Sequence, residues 1–154
     1  AYRAHFIGLA EHGGLKPYAE MMAFSDGSRN RTIPCVDLMP TGVSGVLYPP
    51  HSMASICSDR DLFLKYAPMA DDIWFKVASM LNGTKVVQVE NRNRHFAMVP
   101  GSQIESLYQT NVGSAKNDEQ LKACFDLYPC LFDILNESIR SNPRDVATHD
   151  PTNG

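Results

Sequence analysis

Ile73, Val77, Met80 and Leu81 recur with a helical period between an acid pair, Asp71-Asp72, and a stop signal, Asn82-Gly83. No other stretch narrows the fold as far. An apolar stripe of that period buries one helix face. Acids suit the positive N-terminal end of a helix, and a glycine just past the last turn takes the left-handed conformation that ends it. Upstream, Gly42 to Tyr48 is an apolar run closed by Pro49-Pro50; downstream, Lys85 to Val89 is a second one. Both read as strands. The first is apolar almost throughout, which suits a strand covered on both faces, and proline ends it because it has no N–H for the ladder. Strand, helix and strand together place Asp71 and Asp72 at one end of a sheet, where α/β proteins keep their ligands. The expected fold class is α/β, a mixed sheet with flanking helices.

The rest of the chain is read around that unit. Tyr2 to Ile7 alternates loosely and is expected to be a short strand. Tyr18 to Asp37 is polar and is expected to be a long surface excursion, either a binding loop or a solvated insertion. Ser58 is the expected N-cap of a short helix through Leu62, Phe63 and Leu64 that stops before Pro68. Glu90 to Gly113 holds no period. Asn117 or Asp118 is expected to cap a helix carrying Leu121, Cys124 and Phe125 on one face. Pro129 opens a last helix through Leu131, Ile134, Leu135 and Ile139, and a polar, frayed tail follows from Ser141.

A chain of 154 residues with 44 % hydrophobic and 20 % charged residues is one ordinary domain with a packed core. Its net charge of −3 argues against nucleic acid, whose binders present a basic face. No apolar run reaches the roughly 20 residues that span a bilayer. The four cysteines form no CxxC pair, so a zinc site is not expected and reduced, buried thiols are. No leader or apolar signal core precedes Tyr2, which points to the cytoplasm. The chain opens directly on a strand-like segment, so it reads as a piece of a longer protein.

Five blocks then stand out in order: Tyr2-Arg3-Ala4-His5, Pro17-Tyr18, Pro40 to Pro50, Ala70 to Phe75, and Asn117 to Leu121. In this order they resemble a bacterial group of glycosyltransferase-like proteins with the GT-A fold, and the chain is similar to the C-terminal, acceptor-side half of such a protein. The resemblance runs from Tyr2 to about Tyr128. It implies a domain over residues 1–140 with a flexible tail over 141–154. It also implies a Rossmann-type N-terminal half that holds the nucleotide sugar and ends in an acidic Asp-x-Asp motif for manganese or magnesium. In the family pattern both precede the segment equivalent to Tyr2, so most ligands of the divalent metal would lie outside this chain and none is assigned within it. The function implied is transfer of a sugar from a nucleotide-sugar donor to a glycan or other hydroxyl acceptor, with inversion. The alternative is a non-catalytic glycan-binding or scaffold module that lacks the donor half.

The resemblance assigns roles to particular residues. Glycosyl transfer needs a base for the acceptor hydroxyl, and a carboxylate within hydrogen-bond reach serves. Asp72 is the expected base, with Asp71 as helix cap or acceptor ligand. The helix end holds such a carboxylate ionised, whereas a neighbouring acid raises its pKa. Trp74 offers an indole face for a sugar ring to stack on, or else packs in the core. Gly42 and Gly45 would admit the donor sugar against bare backbone, and Tyr48 closes the same segment on the substrate side. His51 would meet a diphosphate or a metal, or else is a surface loop histidine. Arg3 would hold donor phosphates in a bidentate contact beside His5. Asn111, Asn117 and Asp118 also match the pattern, with loop turn and helix cap as the plainer reading.

Overall fold

The computed structural model describes residues 1–24, 29–97 and 115–141. Its elements are β1 (Ala4–Phe6), α1 (Tyr18–Phe24), β2 (Leu38–Pro40), two single 3-10 turns (Gly42–Ser44 and Ser55–Ser58), α2 (Arg60–Tyr66), α3 (Asp71–Leu81), α4 (Lys116–Leu127) and α5 (Cys130–Ser141). The fold is α/β in content, but among the described residues the sheet is a two-stranded antiparallel pair rather than the expected mixed sheet. His5 pairs with Met39, between the pairs Ala4–Pro40 and Phe6–Leu38. Because side chains alternate across a strand, Met39 falls into the main core, while Ala4, Phe6 and Leu38 build a second small cluster with Cys35.

Helix α3 is the axis of the main core. Ile73, Val77, Ala78 and Met80 are fully buried and Trp74 is 1 % exposed, against Leu121, Cys124 and Phe125 of α4 and Leu131 and Leu135 of α5. Full burial of an aliphatic or aromatic side chain is worth roughly 1.5–3 kcal/mol, so this face alone holds the helices together. The end of α3 is as the sequence predicts: Gly83 has φ 68°, and its N–H closes on the Met80 carbonyl at 2.9 Å. Its start differs. Ala70 is the N-cap and has no side-chain oxygen to offer, while Asp71 and Asp72 lie inside the first turn. Asp71 Oδ1 accepts from the Asp72 N–H and Asp72 Oδ1 from the Ile73 N–H, so the two acids satisfy the open donors themselves.

Four expectations are corrected. Gly42 to Tyr48 is not a strand: a 3-10 turn closes when the Gly45 N–H donates to Gly42 O, and Gly45 turns the chain at φ 93°. Val43 and Leu47 are consequently 66 % and 85 % exposed. Of Lys85 to Val89, only Val86 pairs, in a two-bond bridge with Cys35. The span from Tyr18 to Asp37 is not a solvated excursion, since it holds α1 and the buried Met21, Arg29, Arg31, Cys35 and Asp37. Asp59, not Ser58, caps α2 by accepting from the Leu62 N–H at 3.0 Å; Ser58 ends the preceding 3-10 turn. The tail from 142 and the position of Asn111 lie outside the described residues.

The helix expected at Asn117 or Asp118 begins at Lys116, after Ala115 in the left-handed conformation. Asp118 caps a different helix. Its Oδ1 accepts the Tyr18 N–H at 2.6 Å and so closes the start of α1. Gln120 Oε1 accepts the Met69 N–H at 2.8 Å, in the link before α3. The starts of α1, α3 and α4 are thereby brought to one place. All four cysteines are free thiols, as expected, but only Cys35 and Cys124 are buried; Cys57 is half-buried and Cys130 is exposed.

Candidate functional site

The site lies where those three helix starts meet. Asp72 is half-buried and Asp71 is exposed. Burial pushes the Asp72 carboxyl up to about 6, the Asp71 charge adds to this, and hydrogen bonds from the backbone oppose it. The two opposing effects expected at a helix start are therefore both present, and desolvation with like charge wins over the backbone donors. A carboxylate of this pKa is mainly ionised at neutral pH and is a stronger base than an ordinary aspartate.

Two phenols feel the charge of Asp72. Tyr48 is half-buried and packs on Phe75 of α3 with ring centroids 5.5 Å apart. Burial pushes its hydroxyl up to about 12, followed by the charges of Asp72 and Asp71. Tyr18 is 4 % exposed, and burial, then Asp72 and Asp118, raise its pKa against the opposing charge of Arg3. Both phenols therefore stay protonated as hydrogen-bond donors. His5 stands edge-on to Tyr18 at 4.9 Å and is 3 % exposed. Burial pulls its imidazole down to about 4, helped by Arg3 and Arg31, so the ring is neutral. Its Nε2 has no partner among the described residues.

The structure thus gathers Asp71, Asp72, Tyr48, Arg3 and His5 of the expected set. It does not bring in the others. Trp74 is 1 % exposed and lies against Phe63 in the core, with no open indole face for a sugar ring. His51 has φ 61°, and its carbonyl accepts from Asn82 Nδ2 at the far end of α3. That helix has 11 residues, about 16 Å of axis at 1.5 Å per residue, so His51 belongs to a different region from the acid pair. Gly42 and Gly45 are exposed, and a Cβ added to either would meet open space. Their bare backbone faces solvent rather than a pocket.

Tyr18 and Asp118 also join the site: both lie in blocks of the expected pattern, but neither was assigned a role there, and Asp118 was expected only to cap its own helix. Pro17 before Tyr18 is a helix-opening signal, and Asp118 has the residue type of a cap. What a local reading lacks is the pairing of the two across the chain. Among the described residues no three His, Cys, Asp or Glu side chains come together to hold a metal ion. No helix among them is long and apolar enough to cross a membrane. No family model, curated protein or solved structure matches the chain.

Proposed function

We propose that this chain carries the acceptor side of a sugar-transferring enzyme, with Asp72 as the base that takes the acceptor's proton. The observation that carries this reading is the half-buried Asp72 carboxylate, next to Asp71 at the start of α3, with its pKa raised to about 6. Such a group accepts a proton near neutral pH, and the protonated phenol of half-buried Tyr48 is a donor for the hydroxyls of a neutral acceptor. The resemblance of the Tyr2–His5, Pro40–Pro50 and Ala70–Phe75 blocks to GT-A glycosyltransferase-like proteins supports the same assignment. A two-stranded antiparallel sheet has no βαβ crossover in which to seat a dinucleotide. The nucleotide-sugar donor and the manganese or magnesium ion are therefore proposed to sit on residues outside this chain.

Isothermal titration tests the reading. Neutral oligosaccharides are expected to bind the wild-type chain and to lose at least about tenfold in affinity on Tyr48→Ala, roughly the loss of one good polar contact. Nucleoside diphosphates are expected not to bind. Binding of a nucleoside diphosphate would place donor contacts here and defeat the acceptor-side assignment. Glycan binding that survives Asp72→Asn, with no transfer by the full-length protein, would instead establish a binding module.

A further inference from the structure

The backbone of residues 85–89 bonds to two neighbours in turn. On one side, Val86 and Cys35 exchange both of their N–H to carbonyl bonds, at 2.8 and 3.0 Å, and the Gln88 N–H donates to Arg31 O at 2.8 Å. The odd-numbered residues use the other side. Val87 O accepts from the Ala1 amine at 3.0 Å, and the Val89 N–H donates to Ala1 O at 2.9 Å. Ala1 therefore bonds to the two residues that flank Gln88. That is the slanted pattern of parallel strands, since in an antiparallel pair both bonds of a residue return to one partner.

This pattern fixes the next position along the same edge. In a parallel ladder the residue two places before Ala1 donates to Lys85 O and accepts from the Val87 N–H. Among the described residues neither group has a hydrogen-bond partner, and both residues are exposed. An unpaired edge is a template for another backbone. Val86 packs on the small cluster around Cys35 and Gln88 is 1 % exposed, whereas Val87 and Val89 are bare. The Ala1 amine is part-buried, which lowers its pKa, and no carboxylate among the described residues pairs with it. A peptide N–H in its place makes the same bond to Val87 O with no charge to desolvate.

We propose that the edge of residues 85–89 is a strand slot, filled by the residues that directly precede Ala1 in the full-length polypeptide and run parallel to it. The two bonds at Ala1 are the end of that ladder. The residue two places before Ala1 is then not proline, because it must donate to Lys85 O. The residue directly before Ala1 stands opposite Val87 and gives that side chain a neighbour. The occupant and β1 are one continuous strand, so the slot ties the 85–89 segment to the β1–β2 pair. It stands whether or not the candidate site transfers a sugar.

Amide exchange read by NMR on the full-length polypeptide tests the slot. The Val87 N–H is expected to be protected as well as the Val89 N–H, with cross-strand contacts that set Val87 opposite the residue directly before Ala1. In the 154-residue chain Val87 is expected to exchange at least about tenfold faster than Val89. Val87→Pro removes the donor that the slot offers; it is expected to lower the denaturation midpoint of the longer polypeptide and to leave that of the 154-residue chain nearly unchanged. Fast exchange of Val87 in the longer polypeptide overturns the slot. Protection of Val87 by any other segment or by a partner chain overturns it as well, and so does a native protein whose first residue is Ala1.

Discussion

Asp72 and His5 pull the pH dependence of stability in opposite directions within one site. His5 titrates near 4 in the folded state against 6.5 ordinarily. The unfolded chain binds more protons in that window, so the His5 contribution is complete above 6.5 and is lost as pH falls towards 4. Asp72 titrates near 6 against 3.8. There the folded state binds more protons, so its penalty appears as pH rises from 3.8 and is complete above 6. At about 1.4 kcal/mol per pKa unit the His5 effect is about 3 kcal/mol, and that of Asp72, discounted for its partial exposure, is about 1–2 kcal/mol. In the wild-type protein they offset in part. His5→Phe is expected to show stability falling from about pH 4 to about pH 6, and Asp72→Asn to show it rising over the same range. Asp72→Asn is also expected to be the more stable protein at neutral pH by about 1 kcal/mol, because it no longer ionises a half-buried group. Urea denaturation at a series of pH values reads both slopes, and slopes of the same sign in the two variants would refute the offset.

At the scale of elements, the cap that α4 lends to α1 is the contact most specific to this fold. Asp118→Ala leaves the Tyr18 N–H without its acceptor. It is expected to cost about 1 kcal/mol in chemical denaturation, with faster amide exchange confined to α1, while Asp118→Asn keeps most of the stability. Equal exchange in α1 and α4 would show that the contact does not act as a cap. Helices α3 to α5 were legible in the sequence because an apolar period is a local property, visible over three turns. Helix α1 was not, since seven residues hold barely two turns and its stability comes from burial of Tyr18 and Met21. Asp71-Asp72 was legible because the two acids are neighbours. The site's other half was not, because Tyr18 and Asp118 stand 100 residues apart and meet only in the folded chain.

For the whole molecule, the strands are where pattern and structure part. An apolar run becomes a strand only if another backbone pairs with it along its length, and among the described residues Gly42 to Tyr48 makes no ladder, only a single bond from the Tyr2 N–H to Gly45 O at 3.3 Å. Three-residue β2, ending in proline, does pair, although its sequence gives no alternation to read. Val43→Ser and Leu47→Ser check this topology. Each is expected to change stability by less than about 0.5 kcal/mol, as exposed positions do. In a strand covered on both faces, loss of such a side chain would cost about 2–5 kcal/mol, and a cost of that size would restore the strand.

The bond between Asp118 and Tyr18 also bears on how the protein reaches its working state. Closing a loop of 100 residues loses chain entropy that local turns do not, so contacts of this span form late in folding. A helix pair or hairpin that has folded early carries Asp72 but not the phenol and carboxylate opposite it. If Asp72 is the base proposed above, its surroundings are complete only once residues 18 and 118 have found each other.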